Sequence, residues 1–439
     1  MKRKLLIIIA ILTVALLVIP NFVGGGIQSA TVDSLLERMS AETRAALDIE
    51  QTQFERGWFS SQARIEVRLD ELDELAGEPV TVLLDLDIRH GPLLFTPQGL
   101  RLGTAYAYIA PSVNGLAMEN LAPDAAVETL ESLLYLYAGF DSTLELGINV
   151  DQLVASSPEF RFSVADIRGT SLILPDLSSA AEAEFTTTTL TATNGQFDLA
   201  MQNLLASGSR SDVSRPVSLG ESTIFISQLS SSAPLPLTLH SLRADYRLSD
   251  SPGKTTTMDF SQNFSVGSID WDMPITSFDW QLQVSQLSRQ LLESYLQLAQ
   301  EASQAPTDDP AQSGASLNYL SQGFILGLAR EAFQLDNTLQ LGAFDGTHSL
   351  TLDINWPGLP DLASIEAFDP GAALNAVAIT LTFDGDQAAL MNSPFAQTVI
   401  DYQAMLEVDA GRVKAFVSLA NGELNINGDI LPLEQFVNL

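Results

Sequence analysis

The 439-residue chain contains no cysteine. That excludes disulfides, thiolate nucleophiles, iron–sulfur clusters and cysteine-ligated zinc. It selects no compartment, since a thiol-free chain is safe in either redox environment. Histidine is nearly as scarce: His90, His240 and His348 are the whole supply, too far apart for a spacing such as H-E-x-x-H. Basic residues are few, 21 against 54 acidic ones, for a formal net charge of −33. Three of the basic residues are Lys2, Arg3 and Lys4, and residues 1–30 hold no acid, so the remainder carries 18 − 54 = −36. A surface so acidic repels phosphate backbones, which removes nucleic acid as a partner. The scattered acids also serve plain solubility.

Catalytic signatures are missing as well. No G-x-S-x-G elbow, Walker A loop or G-x-G-x-x-G fingerprint occurs. Asp308-Asp309 and Asp384-Gly385-Asp386 lack the further oxygens of a calcium loop and read as solvated turns. Each histidine reads as a hydrogen-bonded structural residue: His240 on a strand at a bulge, His348 in a turn after Gly346-Thr347, and His90 at a strand end before Gly91-Pro92. The expectation is a non-enzymatic protein with no catalytic residues, no cofactor and no metal.

The chain has one long apolar run. Lys2–Lys4 precede Leu5–Val23, about the 20 residues that a bilayer core requires. The positive flank keeps residues 1–4 cytoplasmic and sends the rest across. An uncleaved transmembrane anchor is one reading and a cleaved signal sequence the other; both leave the bulk of the chain outside the cytoplasm.

Beyond the run, Val32–Leu47 carries Val32, Leu35, Leu36 and Met39 on one helical face. Strict alternation then takes over. Ala63, Ile65 and Val67 alternate with polar neighbours, as do Val82, Leu84, Leu86 and Ile88, and the two segments pair across residues 71–79. The period recurs at Leu144–Val150, Phe160–Val164, Phe278–Val284, Leu350–Trp356, Val377–Phe383 and Val413–Leu419. Between Leu239 and Leu242 the parity slips by one, which predicts a β-bulge. Asn421-Gly422 between two alternating runs predicts a tight hairpin, and Asn194-Gly195 a second. Helices are expected at Ala125–Tyr137, Leu287–Leu298 and Leu317–Phe333, with a flexible connector over 303–315. These boundaries divide the exported part into a β-rich region over 27–302 and a helix-plus-strand region over 316–439.

Three motifs carry a resemblance. Gly57-Trp58-Phe59-Ser60-Ser61 precedes one strand, His90-Gly91-Pro92 ends the next, and the chain closes on NGELNINGDILPL with Gly422, Asn427 and Gly428. In order and spacing they resemble the YdgA-like family of bacterial envelope proteins, a domain of unknown function. The resemblance implies a single-pass inner-membrane protein with a large periplasmic domain, and it brings no catalytic residues. The Gly-Trp-Phe signature also looks like one near the start of AsmA-like envelope proteins, which are linked to lipid traffic. On the residues alone, Gly57 supplies a turn and Trp58 with Phe59 wedges helix against sheet. The functional alternative for that pair is contact with the bilayer interface or a lipid chain.

The expected fold is α+β and β-rich: long twisted antiparallel sheets with a few amphipathic helices on one face, following a single transmembrane helix. A curved sheet of this kind forms an apolar trough, with Phe278, Trp280, Leu352, Ile354 and Trp356 as candidate lining or as filled core. The expected function is binding of lipid or another apolar envelope component. The alternative is a scaffold module of an envelope assembly, self-associating through edge strands.

Overall fold

The computed structural model describes residues 48–56, 60–68, 81–90, 93–97, 99–113, 116–117, 133–140, 143–157, 160–173, 180–193, 198–211, 217–232, 236–272, 274–294, 323–363, 367–402 and 406–432. Residues 1–47, with the apolar run and the first expected helix, lie outside them, as do Gly57–Phe59, Gly91-Pro92, Asn194-Gly195 and the 303–315 connector.

Two compact units form, one comprising Met1–Ser214 with Ile226–Pro236, the other Arg215–Phe225 with Leu237–Leu439. In the first, the strands are β1 (Asp48–Arg56), β2 (Ser60–Arg68), β3 (Thr81–His90), β4 (Leu94–Thr96), β5 (Gly99–Arg101), β6 (Ala105–Val113), β7 (Leu116–Ala117), β8 (Leu133–Ala138), β9 (Leu144–Ser157), β10 (Phe160–Ile173), β11 (Ala180–Thr193) and β12 (Asp198–Ser211). The ladder runs β1-β2-β3-β6-β8-β9-β10-β11-β12, every pairing antiparallel. The expected β2–β3 hairpin is present, with Ser60 opposite Arg89 and Arg68 opposite Thr81. One face is the core: Ile65, Leu84, Leu86, Ile88, Ala107, Ile109, Leu136 and Leu146 are all buried.

β13 (Leu219–Ser231) is divided between the units. The second unit holds β14 (Leu237–Asp250), β15 (Thr257–Val266), β16 (Ser268–Asp270), β17 (Pro274–Ser288), β18 (Phe333–Ala343), β19 (Gly346–Trp356), β20 (Ala378–Asp386), β21 (Glu407–Asp409), β22 (Arg412–Ala420), β23 (Glu423–Ile426) and β24 (Asp429–Pro432). Again every pairing is antiparallel, between strands adjacent in sequence or, as in β15–β17 and β20–β22, one strand apart. Among the described residues its helical segments are α1 (289–294), α2 (323–330), α3 (Pro370–Ala376), α4 (Gln387–Met391) and α5 (Ala396–Asp401).

The parity slip in β14 is a real irregularity. Ser241 takes φ 53°, Gly267 N–H donates to His240 O at 2.8 Å, and β14 changes partner from β16 to β15 across that point. Asn421 and Gly422 both have positive φ, 53° and 72°, as a type I′ hairpin requires, and they join β22 to β23.

Several expectations need correction. Residues 133–138 are strand β8 rather than the end of a helix. Leu134 and Leu136 face the core while Tyr135 is buried on the opposite side, so the segment is apolar on both faces and loses the alternation that marks a strand. Leu287 belongs to β17, where Gln286 at φ 63° makes a bulge, and helix begins only at residue 289. Phe333 opens β18 opposite Trp356, the helix before it covering 323–330. His348 sits inside β19; the turn is Phe344-Asp345, with φ 55° and 63°.

Candidate functional site

Residues directly opposite in an antiparallel pair share a face, so register converts sequence alternation into rows across the sheet. In the second unit Phe264 stands opposite Trp280, then Leu339, Leu350, Phe383 and Ala415 in succession. A parallel row runs from Leu282 through Asn337, Leu352 and Leu381 to Val417. A third passes from Val284 through Leu335, Ile354 and Ile379 to Leu419. All five candidate lining residues therefore lie on one face. At an interstrand spacing of about 4.8 Å, a six-strand row extends about 24 Å.

The ends of this face are packed. Trp356 is 9% exposed, clustered with Ala373, Val377 and Leu419, and its Nε1 donates to the Leu328 and Ala329 carbonyls of α2. Ile354 packs against the same cluster. At the opposite end of β19, α4 brings Ala389 over Gly346 and Leu390 beside Gly385. Between these ends Phe278, Trp280, Leu339, Leu350, Leu352 and Phe383 are only half-buried. Phe278 meets Phe264 edge to face at 5.9 Å, and Trp280 Nε1 donates to Asn337 Oδ1 at 2.6 Å, so a polar group in an apolar row is satisfied from within.

The other face of the unit is polar. Asp336 stands opposite Asp353, and burial, then that neighbouring carboxylate, raises the Asp336 carboxyl above its usual range. The histidines are not collected: His240 Nε2 meets Asp270 Oδ2 at 2.9 Å, His348 Nε2 lies 3.3 Å from Ala343 O, and His90 pairs with Ala105 in the other unit. Among the described residues no group of three or more His, Asp or Glu is placed to hold a metal ion.

In the first unit, Ser60 lies opposite Arg89, one residue from His90, while Arg56 lies opposite Ser61. Ser61 is buried and Ser60 exposed. Just beyond His90, β4 and β5 form a small hairpin over the second face of β6 and β8. There Tyr106 pairs with Tyr137 and Tyr108 with Tyr135. Tyr106 and Tyr135 stack at 5.3 Å with Leu94 against them, and all three are buried.

Arg101 locks the hairpin down. It donates to Glu145 through Nη1 at 2.8 Å and Nη2 at 2.6 Å, and its guanidinium lies 3.8 Å from the Tyr137 ring centroid. Tyr135 donates to the same carboxylate at 2.9 Å. The Arg101 guanidinium, then the Tyr135 hydroxyl, hold the Glu145 carboxyl below its ordinary value against the opposing effect of burial. Burial first, then Glu145, pushes the Tyr135 phenol up to about 12. Gly147, opposite Tyr135, is the one residue that leaves room for the ring, since a Cβ there would overlap it. Beside this cluster a groove of about 460 Å³ crosses β2, β3 and β6, lined by Gln62, Arg64, Asp85, Asp87 and Tyr108 among others. Arg64 Nε donates to Asp85 at 2.6 Å within it.

None of these tyrosines, nor Arg101, Glu145 or Gly147, was singled out from sequence. The signal was there, as Ala-Tyr-Ala-Tyr at 105–108 and Leu-Tyr-Leu-Tyr at 134–137 put tyrosine on one face at period two. The closing hairpin motif lies in the other unit, where Gly422 adjoins Asn375, and Phe416 N–H donates to Asn427 Oδ1 at 2.6 Å beside Gly428.

The geometry is that of two antiparallel meanders presenting apolar and aromatic surface. The chain belongs to DUF945, a family of bacterial proteins of unknown function, whose model matches residues 1–434. No curated protein and no solved structure matches it.

Proposed function

We propose that this is a non-enzymatic YdgA-like protein, anchored by residues 5–23 in the bacterial inner membrane with its bulk in the periplasm. Its second unit binds lipid or another apolar envelope component along the face carrying Phe278, Trp280, Leu352 and Ile354. One observation carries the reading: rows of aliphatic and aromatic side chains, the longest crossing six strands, lie half-buried, and the helices among the described residues pack the two ends of that face. At about 25 cal/mol per Å² of apolar surface removed from water, an acyl chain laid along such a row is held by burial alone. One leaflet of hydrocarbon is about 15 Å thick, half a bilayer core of about 30 Å, so a face about 24 Å long accommodates it.

The test uses the full chain in its own envelope. A benzophenone amino acid is placed at position 352 and, as control, at 351 on the polar face, and adducts are weighed after irradiation. A phospholipid-mass adduct at 352 and none at 351 is expected. Equal labelling at both positions, or none at 352, rejects the reading. An adduct between two copies of the chain at 352 moves the weight to the scaffold alternative.

A further inference from the structure

We propose that the β4–β5 hairpin is a lipid-interface loop, inserting Leu93, Phe95, Leu100 and Leu102, with the neighbouring Phe140, into the headgroup–acyl boundary of a bilayer. Phe95 stands opposite Leu100 and Leu94 opposite Arg101. Alternation therefore gives the hairpin two unlike faces. Leu94 and Arg101 point inward, to the stacked tyrosines and to Glu145. Leu93, Phe95, Leu100 and Leu102 lie outward, with exposures of 47, 68, 59 and 63%. A hairpin lying on a domain in water keeps its outer face polar, whereas here the outer face is apolar as well. Phe140, 61% exposed, joins the patch because Thr104 ties its turn to β6, its N–H donating to Ala138 O at 2.9 Å and its hydroxyl lying 3.3 Å from Gly139 O.

Charge selects the bilayer as occupant. Ile88–Met118 contains no acidic residue; the chain averages one acid in about eight (439/54), which over 31 residues amounts to about four. The charged groups retained are cations at the hairpin base. Arg89 lies 5.0 Å over Tyr108 and donates to Phe95 O, and Arg101 lies over Tyr137. Apolar tips above a belt of tyrosine and arginine suit the polarity gradient of a membrane surface. Reach is sufficient, since residues 24–31 extended and 32–47 as the expected helix would span about 50 Å between the apolar run and β1. The proposal rests on the membrane-anchored reading but not on lipid binding by the second unit.

The absence of cysteine makes the test direct. Full chains carrying Phe95→Cys, Thr189→Cys on exposed β11, or Thr13→Cys in the apolar run are labelled with an environment-sensitive dye. They are reconstituted in vesicles of phosphatidylethanolamine with a minor share of phosphatidylglycerol, containing lipids with a spin label either near the headgroup or at the chain end. The dye at 95 is expected to shift to the blue and to lose most of its emission to the shallow quencher, while the dye at 189 does neither. Adding Leu100→Asp abolishes the quenching at 95, with hydrogen exchange over 133–138 unchanged to show that the cluster beneath is intact. Quenching at 13 without quenching at 95 overturns the proposal and leaves the anchor standing. No quenching at 13 overturns the anchor, and the proposal with it. Dye at 95 that self-quenches between chains, unresponsive to lipid quenchers, reassigns the patch to a second copy.

Discussion

Gly147→Ala isolates the tyrosine cluster in a single methyl group. Tyr135 lies across Gly147 on the opposite strand, and the new Cβ occupies the volume of its ring. The ring has to leave or the strands have to part. Leaving forfeits the hydrogen bond to the Glu145 carboxylate, worth about 1.5–3 kcal/mol for a charged acceptor. It also forfeits the stack on Tyr106, worth about 0.5–1.5 kcal/mol. Parting the strands costs about 1–3 kcal/mol of overpacking. The chain takes the cheaper mixture, so the expected destabilisation is about 2–3 kcal/mol, where the two ranges overlap. Tyr135→Ala alone costs about 3–5 kcal/mol, by emptying the space between Leu94 and Gly147. In that background Gly147→Ala meets no ring and gains about 0.5–1 kcal/mol, because alanine loses less backbone entropy than glycine in a strand. The cycle should therefore show a coupling of about 3 kcal/mol between two residues that share no hydrogen bond. Urea midpoints, with hydrogen exchange followed over 133–150 to assign the transition to the first unit, measure all four chains. A cost below about 1 kcal/mol for Gly147→Ala, or the same cost in both backgrounds, refutes the packing argument.

Glu145→Gln should cost about 1–2 kcal/mol at neutral pH by weakening its bonds to Arg101 and Tyr135. Because the native carboxyl lies below its unfolded value of about 4.3, its contribution is present above that value and fades as pH falls through the native one. Parent and variant urea midpoints should therefore converge on acidification, and a constant gap contradicts the assignment. On the alkaline side Tyr135, raised to about 12, contributes below the ordinary phenol value of about 10, and the contribution is lost as pH rises through about 12. Gly422→Ala should cost about 1–2 kcal/mol, since φ is 72° and the Cβ meets Asn375 of α3, whereas Gly411→Ala, at φ 77° with open space around it, bears only the backbone strain. Thermal unfolding compares the two, and equal losses rule out the docking of α3 as a factor.

Strand periodicity translated well because it is imposed residue by residue. Phe278, Trp280, Leu352 and Ile354 alternate with polar neighbours, and their common face follows from register alone. The bulge at Ser241 and the hairpin at Asn421-Gly422 were legible for the same reason, each being a local backbone demand with a local residue signal. Residues 133–137 read as helix because a strand buried on both sides has no apolar–polar alternation to display, its period of two showing only as leucine against tyrosine. The Arg101–Glu145–Tyr135 cluster was invisible because it joins β5 of the small hairpin to β8 and β9, with Arg101 lying 44 residues from Glu145, which no single stretch encodes. The adjacency of Ser60 to Arg89, the residue before His90, was implicit in the expected β2–β3 pairing, yet only the register fixed it.

The order of the strands has a consequence for how the chain is made. In both units each ladder pairing joins strands adjacent in the sequence or separated by a short insertion, so a strand finds its edge soon after it is synthesised. The fold can grow from the amino terminus by successive hairpins, with no late strand needed to close an early gap. The cost of such growth is a fresh unpaired edge at every step, an open template for a neighbouring chain caught at the same stage. A formal charge of −33 spread along the sequence makes two such edges repel each other, and so guards the intermediates of folding as much as the finished protein.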